Sequence, residues 1–543
     1  MYTMNKTIIK EPIKVLLIDP PQRKHIIWDP IHKSQPLSLL YLASYLINNL
    51  GRKVRVKIID AVAEGFANRH IYNSDVFESS DLTMKDTSVQ SIWNSAYKDI
   101  LDLSVSKEEM LDDFIRKYSL IEKENVVRIG LSNDEIVEKV REFDRDVIGI
   151  TILASVIHPT AVELAKALKI AFPHKMIIAG GAHATAMSKE VFRDSSGAID
   201  FIVQFEGEKV LLNLINNIHN HEKIKKLNGI AYLQNNEVKW NQRESLLALK
   251  EISLINPKLL RDIEYPQIAT HAANTHNRKY IDIMFSRGCH NSCDFCSTPR
   301  FWGQIRLPSI QNVEKQLDIL KKAGYKELII QDDNFTENED WAKEVIDRIF
   351  KKGFYWQNNG GLELENLSHE IIDYMAKRNC TSVFIPVNIG RDLIDYKITE
   401  NLRTKALDIF PYIKKNYQDL IVFGGGILGI PNLAQPDQTE QNILKEIDFF
   451  VTLSKKNCFD YFIIYFLSIL PGTKWWGKLK NDGFWIHEGE DNWASYSNHV
   501  PQVVTSFYSY HKLCKIALKA HLLINGSEKS AKWMTLKTWS GAI

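Results

Sequence analysis

The chain has 543 residues, of which 45% are hydrophobic and 25% charged, and its formal net charge is +2. This composition is typical of a globular protein with sizeable cores. The balanced charge provides neither a basic surface for nucleic acid nor a cationic face for a membrane. The longest apolar stretch, at 461–470, is too short to span a bilayer. Six cysteines in so long a chain do not suggest a disulfide framework, which favours the reducing cytoplasm.

The first 215 residues alternate short apolar strands with amphipathic helices. A helix is predicted over 36–51, with Gly51 as its stop. The first strand follows a short basic run, which we interpret as part of the fold and not as a signal peptide. Strands alternating with helices predict a doubly wound α/β domain with a parallel sheet. Runs of branched apolar residues predict its strands at 14–19, 54–61, 146–153, 175–181 and 198–208.

A polar segment from about 66 to 131 interrupts this alternation after the second strand. Its pattern is helical, and it ends where Ser132 and Glu135 have the spacing of a capping box. We therefore expect a helical insertion that leads into a capped helix.

The remainder of the chain divides into three further segments. Residues 216–277 predict a hairpin with an Asn-Asn turn, followed by a linker. Residues 278–480 contain six strand–helix units and predict a partial (βα)6 barrel, with its chemistry at the carboxyl ends of the strands. Residues 481–543 are rich in aromatic residues and predict a cap over the barrel mouth.

Three of the six cysteines lie in one loop directly after the first barrel strand. Cys289, Cys293 and Cys296 have the spacing Cys-x3-Cys-x2-Cys. A zinc site needs a fourth protein ligand, and the adjacent His290 is expected to point away. An iron–sulfur cluster held by three thiolates leaves one iron open to an exchangeable ligand. The alternative is three cysteines without a shared ligand.

This cysteine motif resembles the signature of the radical S-adenosylmethionine (SAM) superfamily. The resemblance implies that the three cysteines hold a [4Fe–4S] cluster and that SAM chelates the fourth iron. It also implies that an electron from the cluster cleaves SAM to a 5′-deoxyadenosyl radical. Further positions between 278 and 480 are similar to the SAM-binding elements of the superfamily, although "QDDNF" and "PVNIG" depart from its common motifs. These positions are Phe295, Asp332, Asp333, Asn388, Gly425, Ile427 and Gly429.

The first domain has no Gly-x-Gly-x-x-Gly after its first strand, so that a dinucleotide site is not predicted. Its motifs "DPP", "IID", "GGAHAT" and "EGE", in this order, resemble the cobalamin-binding domain of cobalamin-dependent radical SAM enzymes. The first loop lacks the Asp-x-His-x-x-Gly of cobalamin mutases, so the resemblance implies cobalamin bound without that histidine. The positions it implies as cobalamin contacts are Asp19, Ser155, Gly180, Gly181, His183, Glu206 and Gly207.

Together the two resemblances imply a radical SAM C-methyltransferase that moves a methyl group from SAM via methylcobalamin to an unactivated carbon. The substrate is expected to be a small molecule or a peptide, and the electron donor a flavodoxin or ferredoxin. A non-methylating cyclisation, ring contraction or oxidative rearrangement is the alternative, and a cobalamin or SAM sensor is a third. Methylthiolation of RNA is disfavoured, because Cys380, Cys458 and Cys514 are too scattered to hold a second cluster.

Methyl transfer also predicts how the two domains face each other. Both domains present ligands at the carboxyl ends of their strands. These edges should therefore meet across one shared cavity, with Gly180, Gly181 and 206–208 near the cysteine loop.

Overall fold

The computed structural model describes most of the chain in several ranges. These are residues 11–25, 34–67, 71–73, 87–118, 126–248, 254–263, 265, 278–387, 400–431, 435–481, 493, 496, 499, 501–503 and 509–534. Among these residues, no helix is both long and apolar enough to cross a membrane.

The strands in these ranges are β1 (Ile13–Asp19), β2 (Gln22–His25), β3 (Val54–Asp60), β4 (Ile71–Asn73), β5 (Val126–Ile129), β6 (Val147–Thr151), β7 (Met176–Gly180), β8 (Phe201–Val203), β9 (Ile230–Gln234), β10 (Glu237–Trp240), β11 (Tyr280–Ile283), β12 (Glu327–Ile330), β13 (Tyr355–Asn358), β14 (Cys380–Pro386), β15 (Ile421–Leu428) and β16 (Tyr461–Phe466). The α-helices are α1 (Leu37–Leu50), α2 (Ala61–Ala67), α3 (Thr87–Asp102), α4 (Glu108–Lys117), α5 (Asn133–Phe143), α6 (His158–Ala171), α7 (Ala182–Ala186), α8 (Ser188–Ser195), α9 (Gly207–Asn216), α10 (His221–Ile224), α11 (Thr298–Phe301), α12 (Ile310–Lys322), α13 (Glu339–Lys351), α14 (His369–Ala376), α15 (Glu400–Asn416), α16 (Thr439–Lys455), α17 (Lys474–Asn481) and α18 (Tyr510–Met534).

The first domain is built on a seven-stranded sheet in the order β10-β9-β8-β7-β6-β1-β3. Its five strands β8, β7, β6, β1 and β3 are parallel to one another. Every residue of β6 is buried, because helices cover both faces of the sheet. The hairpin of β9 and β10 continues this sheet in antiparallel pairing. Its turn residues, Asn235 and Asn236, both have positive φ angles, as a two-residue hairpin turn requires. The doubly wound α/β class predicted for this domain is confirmed.

The segment predicted as a helical insertion contains helices α3 and α4, but it also contains strands. β4 and β5 pair with β2 in a small antiparallel sheet of order β2-β5-β4. These strands were not predicted, because a four-residue strand whose partner lies about 100 residues away in sequence has no local signal. The capping box is confirmed: Ser132 Oγ accepts a hydrogen bond from the Glu135 amide, and Glu135 Oε2 accepts one from the Ser132 amide.

The second domain is a six-stranded parallel sheet in the sequential order β11 to β16. Helices α12 to α16 lie between the strands in sequence, which is the arrangement of a partial (βα)6 barrel. Alternate residues, such as Ile281, Leu328 and Val383, pack in the apolar layer between the sheet and these helices. The predicted barrel class is confirmed.

Helix α18, in the segment predicted to cap the barrel mouth, covers the edge of the last strand, β16. Its residues Cys514, Leu518 and Leu522 belong to an apolar cluster that also contains Phe423 and Ile463 of the sheet. The same cluster includes Leu111, Phe114 and Ile115 of α4, and Lys515 of α18 forms ion pairs with Glu108 and Asp112 of α4. The inserted helices are thereby packed against the C-terminal helix. The tail aromatics Trp485 and Trp539 lie outside the described residues.

Asn525 of α18 takes the place of a neighbouring strand at the start of β16. Its Oδ1 accepts a hydrogen bond from the Phe462 amide (2.8 Å), and its Nδ2 donates one to the Phe462 carbonyl (2.9 Å). We expect Asn525→Ala to destabilise this edge by about 2 kcal/mol, because both groups lose their partner. Hydrogen–deuterium exchange at the Phe462 amide should become about tenfold faster or more.

Asn525→Asp is the matched control, since it keeps the acceptor and loses only the donor. Its Phe462 amide should therefore exchange more slowly than that of Asn525→Ala. Equal protection in the wild type and in Asn525→Ala would contradict this role of Asn525.

Candidate functional site

The cysteine loop is fixed to the neighbouring strand end by two adjacent carboxylates. Asp332 accepts hydrogen bonds from the Phe285 amide (2.8 Å) and the Ser286 amide (2.6 Å). Asp333 accepts hydrogen bonds from the Gly288 amide (3.2 Å) and the Thr298 hydroxyl (2.9 Å). Burial raises the pKa of Asp332 to about 7. These two residues, predicted to contact SAM, thus hold the loop that carries the cysteines.

Gly288 allows the loop to turn sharply just before Cys289. Its φ of +92° is a left-handed conformation, and a Cβ there would lie 2.5 Å from the Gln304 carbonyl oxygen. A side chain at this position would therefore displace the loop.

The three thiols lie together in this loop, and the electrostatic interactions of Cys293 include both Cys296 and Cys289. Burial, with a smaller effect of neighbouring carboxylates such as Glu363, raises the pKa of Cys289 to about 11 and that of Cys293 to about 12. The thiols must therefore release protons when they bind iron. Three adjacent sulfur donors, and no other cysteine in the described residues beside them, fit a cluster with one open iron.

The prediction that His290 points away from Cys289 is wrong. Its Nδ1 lies 3.1 Å from Glu337 Oε1. A ligand atom of Cys289, one of His290 and one of Glu337 lie within 4.8 Å of one another. The loop brings the imidazole back towards the thiol because Glu337, after β12, attracts it. The orientation of His290 therefore does not exclude zinc, and the assignment of an iron–sulfur cluster rests on the Cys-x3-Cys-x2-Cys spacing.

The other predicted SAM positions lie around the strand ends with different surroundings. Phe295 packs near Trp475, with ring centroids 6.1 Å apart. A Cβ on Gly425 would lie 2.6 Å from the Phe384 ring, and one on Gly429, where φ is +80°, would lie 3.0 Å from Leu513. Packing alone therefore requires a small residue at both glycines. Ile427 lies between them in β15, and Asn388 lies outside the described residues.

Glu363 is a residue of this site that the sequence reading missed. It accepts hydrogen bonds from Asn291 in the cysteine loop (2.8 Å) and from Asn334 after β12 (2.9 Å). It follows β13 at a strand end, which is a signal that could have identified it.

A cavity of about 560 Å³ lies where the two domains meet. Its size and mainly aliphatic lining suit a large organic ligand, and its glycines leave room for a flat one. As predicted, the strand ends of both domains face it. The first domain contributes Asp19, Leu153, Gly180, Gly181, Glu206 and Gly207, and the barrel contributes Asp282, Met284, Arg287, Phe301, Trp302 and Gln331.

Direct bonds join the two domains around this cavity. The Tyr41 hydroxyl donates to the Met284 carbonyl (2.6 Å), and the Gln35 amide donates to Asp282 Oδ2 (2.9 Å). Within the barrel domain, the Gln331 side-chain amide donates to Asp282 Oδ1 (2.6 Å) and orients this carboxylate. The sequence reading missed all of these residues, because their partners are distant in sequence.

Two of the predicted cobalamin contacts, Ser155 and His183, bond to each other behind the cavity wall. Ser155 Oγ and His183 Nδ1 are 2.9 Å apart, as are His183 Nε2 and His158 Nδ1, and His158 Nε2 lies 2.9 Å from Asp194. Burial, with a smaller effect of His158, lowers the pKa of His183 well below its usual value. This buried row positions the loop after β6 and the helix after Gly181. Trp493 of the tail packs on both imidazole rings.

Glu206, another predicted cobalamin contact, is engaged by the protein itself. Its carboxylate accepts hydrogen bonds from Arg287, Arg306 and the Leu247 amide. Glu206 lines the cavity, but its charge is balanced by arginines of the barrel domain.

Two family models match the chain. The model described as "B12 binding domain" matches residues 100–215, and that of the "Radical SAM superfamily" matches residues 283–438. The first covers β6, β7 and β8, whose ends line part of the cavity, and the second begins at the last residue of β11, the strand before the cysteines. The chain therefore combines a B12-binding domain with a radical SAM domain. The cofactors of this radical SAM protein are accordingly cobalamin, SAM and a [4Fe–4S] cluster, as predicted.

Curated relatives of this radical SAM protein include enzymes of two kinds. Cytidylyl-2-hydroxyethylphosphonate methyltransferase of Streptomyces wedmorensis is 30% identical over 49% of this chain and 54% of its own length. An uncharacterized methyltransferase of Pyrococcus horikoshii is 25% identical over 74% of this chain and 85% of its own. Anaerobic magnesium-protoporphyrin IX monomethyl ester cyclase of Cereibacter sphaeroides is 24% identical over 48% of this chain and 43% of its own. The chain thus spans about half the length of the first and the last of these.

A solved structure has the same fold. The radical SAM methyltransferase TsrM of Kitasatospora setae, with tryptophan and a SAM analog bound, superposes with a TM-score of 0.56. The match covers 90% of this chain and 82% of TsrM at 12% identity. The likeness is one of fold, and it extends over both domains.

Proposed function

We propose that this chain is a cobalamin-dependent radical SAM methyltransferase. It would move a methyl group from SAM, by way of the cobalamin, to an unactivated carbon of a small-molecule or peptide precursor. The observation that carries this proposal is the single cavity lined by the strand ends of both domains. Direct transfer needs the reacting carbon between the two cofactors, and such a cavity can hold it there.

The cofactors would supply a carbon-centred radical and a transferable methyl group, and the chain would position them. Cys289, Cys293 and Cys296 would hold the cluster, on a loop fixed by Asp332 and Asp333. Phe295, Asn388, Gly425, Ile427 and Gly429 would lie around SAM. Asp19, Gly180, Gly181 and Gly207 would lie against cobalamin, with Ser155, His183 and Glu206 shaping that wall. The aliphatic lining, including Leu153 and Met284, would exclude water from the radical.

A reductant and a cellular location complete the proposal. The cluster would receive its electron from a flavodoxin or ferredoxin. A cytoplasmic location would keep the three cysteine thiols reduced and ready to bind iron.

A non-methylating reaction is the second candidate, and the similarity to a cyclase favours it. It would use the same cofactors for a cyclisation, a ring contraction or an oxidative rearrangement. The two candidates differ in what becomes of the methyl group of SAM.

The experiment is anaerobic turnover of the reconstituted protein with dithionite, hydroxocobalamin and methyl-deuterated SAM against a panel of candidate precursors. Methyl transfer predicts S-adenosylhomocysteine and 5′-deoxyadenosine in equal amounts, together with a product that carries the label. 5′-Deoxyadenosine with an unlabelled product would favour the second candidate instead.

Cys293→Ala is the control for chemistry that does not need the cluster. Absence of SAM cleavage with a fully loaded wild-type protein would overturn both enzymatic candidates and leave a sensor. A labelled product from Cys293→Ala would show that the transfer does not use the cluster.

A further inference from the structure

Arg287 joins the cysteine loop to the cobalamin-binding domain through two buried ion pairs. It lies two residues before Cys289, and its side chain is 3% exposed. Its Nη1 donates to Glu206 Oε1 (3.0 Å) and its Nη2 to Glu208 Oε1 (2.7 Å). Burial lowers the pKa of Arg287, but the carboxylates of Glu208 and Glu206 outweigh it and raise that pKa above its usual value. Both pairs cross from the barrel to the first domain.

A second arginine reinforces the same contact. Arg306 donates to Glu206 Oε1 (2.6 Å) and to the Leu247 carbonyl (2.7 Å). The backbones of Arg287 and Arg306 also pair, with the Arg306 amide donating to the Arg287 carbonyl (2.8 Å). The carboxylates of Glu206 and Glu208 are therefore bound to the segment around Arg287, from which the cysteine loop begins.

The two carboxylates flank Gly207, which lines the cavity. A Cβ on Gly207 would lie 3.1 Å from Leu42 and 3.3 Å from Val203, so this turn is closely packed on its own domain. If Arg287 moved away, the negative charges of Glu206 and Glu208 would stay buried with less positive charge to balance them, which is costly in a protein interior. A displacement of the cysteine loop must consequently move the cavity wall, or break these pairs.

We propose that the Arg287–Glu206/Glu208 bridge couples the two cofactor sites, so that a loaded cluster tightens cobalamin binding and bound cobalamin retains the cluster. Arg287, Glu206 and Glu208 act here as positioning residues. The coupling goes beyond the proposed reaction, because it holds for methyl transfer and for the non-methylating alternative alike. It rests on the cofactor assignment only.

The physical basis is the ordering of one short segment. Sulfur–iron bonds fix the loop from Cys289 to Cys296 and with it the guanidinium of Arg287. The turn at Glu206–Glu208 is then already ordered when cobalamin arrives, so that less conformational entropy is lost on binding. Coupling between binding equilibria is reciprocal, so the same factor must appear in the affinity for the cluster.

The test is a titration of the full-length protein with hydroxocobalamin, followed by absorbance, with and without the reconstituted cluster. We expect wild-type Kd to be about tenfold lower in the cluster-loaded protein, a moderate value for coupled sites. In Glu208→Gln this ratio should fall to about one, with four irons per chain retained. Glu208→Asp should restore part of the ratio. The reciprocal measurement is the loss of iron to a chelator, which cobalamin should slow in the wild type and not in Glu208→Gln.

Lys474→Gln is the matched control, because Lys474 forms an exposed ion pair with Asp294 of the same loop but stays within the barrel domain. Its ratio should equal that of the wild type. A wild-type ratio of one, or an undiminished ratio in Glu208→Gln, would overturn the coupling while leaving the cofactors in place. If the wild type binds no cobalamin in either form, the cofactor assignment fails together with the coupling.

Discussion

Cys293→Ala is expected to reduce iron from four atoms per chain to nearly none and to abolish reductive cleavage of SAM. The reason is that each of the three thiolates is expected to bind a different iron, so that two ligands cannot retain the cluster. Cys293 is also the most buried of the three cysteine residues. The measurements are iron analysis after anaerobic reconstitution and the visible absorbance of the cluster.

Cys458→Ala is the matched control for this prediction. Cys458 is a buried cysteine at the start of β16, outside the cysteine loop. Its replacement should leave the iron content and SAM cleavage as they are in the wild type. Four irons and undiminished cleavage in Cys293→Ala would contradict the ligand assignment.

The elements that could be predicted from the sequence are those with a strong local pattern. β1 and β6 are continuous apolar runs because helices cover both faces of their sheet. The cysteine motif is equally local, since eight consecutive residues contain all three thiols. In both cases the signal and the structure that it predicts occupy the same few residues.

The elements that could not be predicted depend on partners far away in sequence. β2 has the sequence QRKH, which carries no apolar alternation, and it becomes a strand only because β5 pairs with it. The same is true of the site. Arg287 is 81 residues from Glu206 and 79 from Glu208, and nothing around it indicates an ion pair. Ser155 and His183 were predicted as cobalamin contacts, whereas their bond to each other depends on the fold.

Asp332 has a structural role that its sequence motif does not indicate. Its position after β12 led to a prediction of SAM binding, and the structure gives it three donors from the residues just before the cysteines. A buried carboxylate with several donors is a strong local constraint. The orientation of the cysteine loop is therefore set by the neighbouring strand as well as by its own sequence.

Gly181→Val is expected to remove cobalamin binding, with Kd raised about a hundredfold or more, while four irons per chain remain. Gly181 has a φ of +113°, and a Cβ there would lie 2.6 Å from the Ile152 carbonyl oxygen and 2.7 Å from its carbon. A left-handed conformation of a non-glycine residue costs about 1–3 kcal/mol, and backbone atoms cannot rotate out of the way as a side chain can. The loop at 152–154, which lines the cavity, must then move. The loss of binding thus arises from displacement of this loop and not from a side chain that points into the ligand.

Gly197→Ala separates this effect from backbone strain. Gly197 also has a positive φ, of +83°, but a Cβ there would meet nothing within 4 Å. Both variants replace a glycine of the first domain that has a positive φ angle. They therefore share the backbone strain of a non-glycine residue in that conformation. Titration with hydroxocobalamin should therefore give a Kd close to that of the wild type for Gly197→Ala and a strongly raised one for Gly181→Val. Tight binding by Gly181→Val would mean that the 152–154 loop does not form the wall against which cobalamin packs.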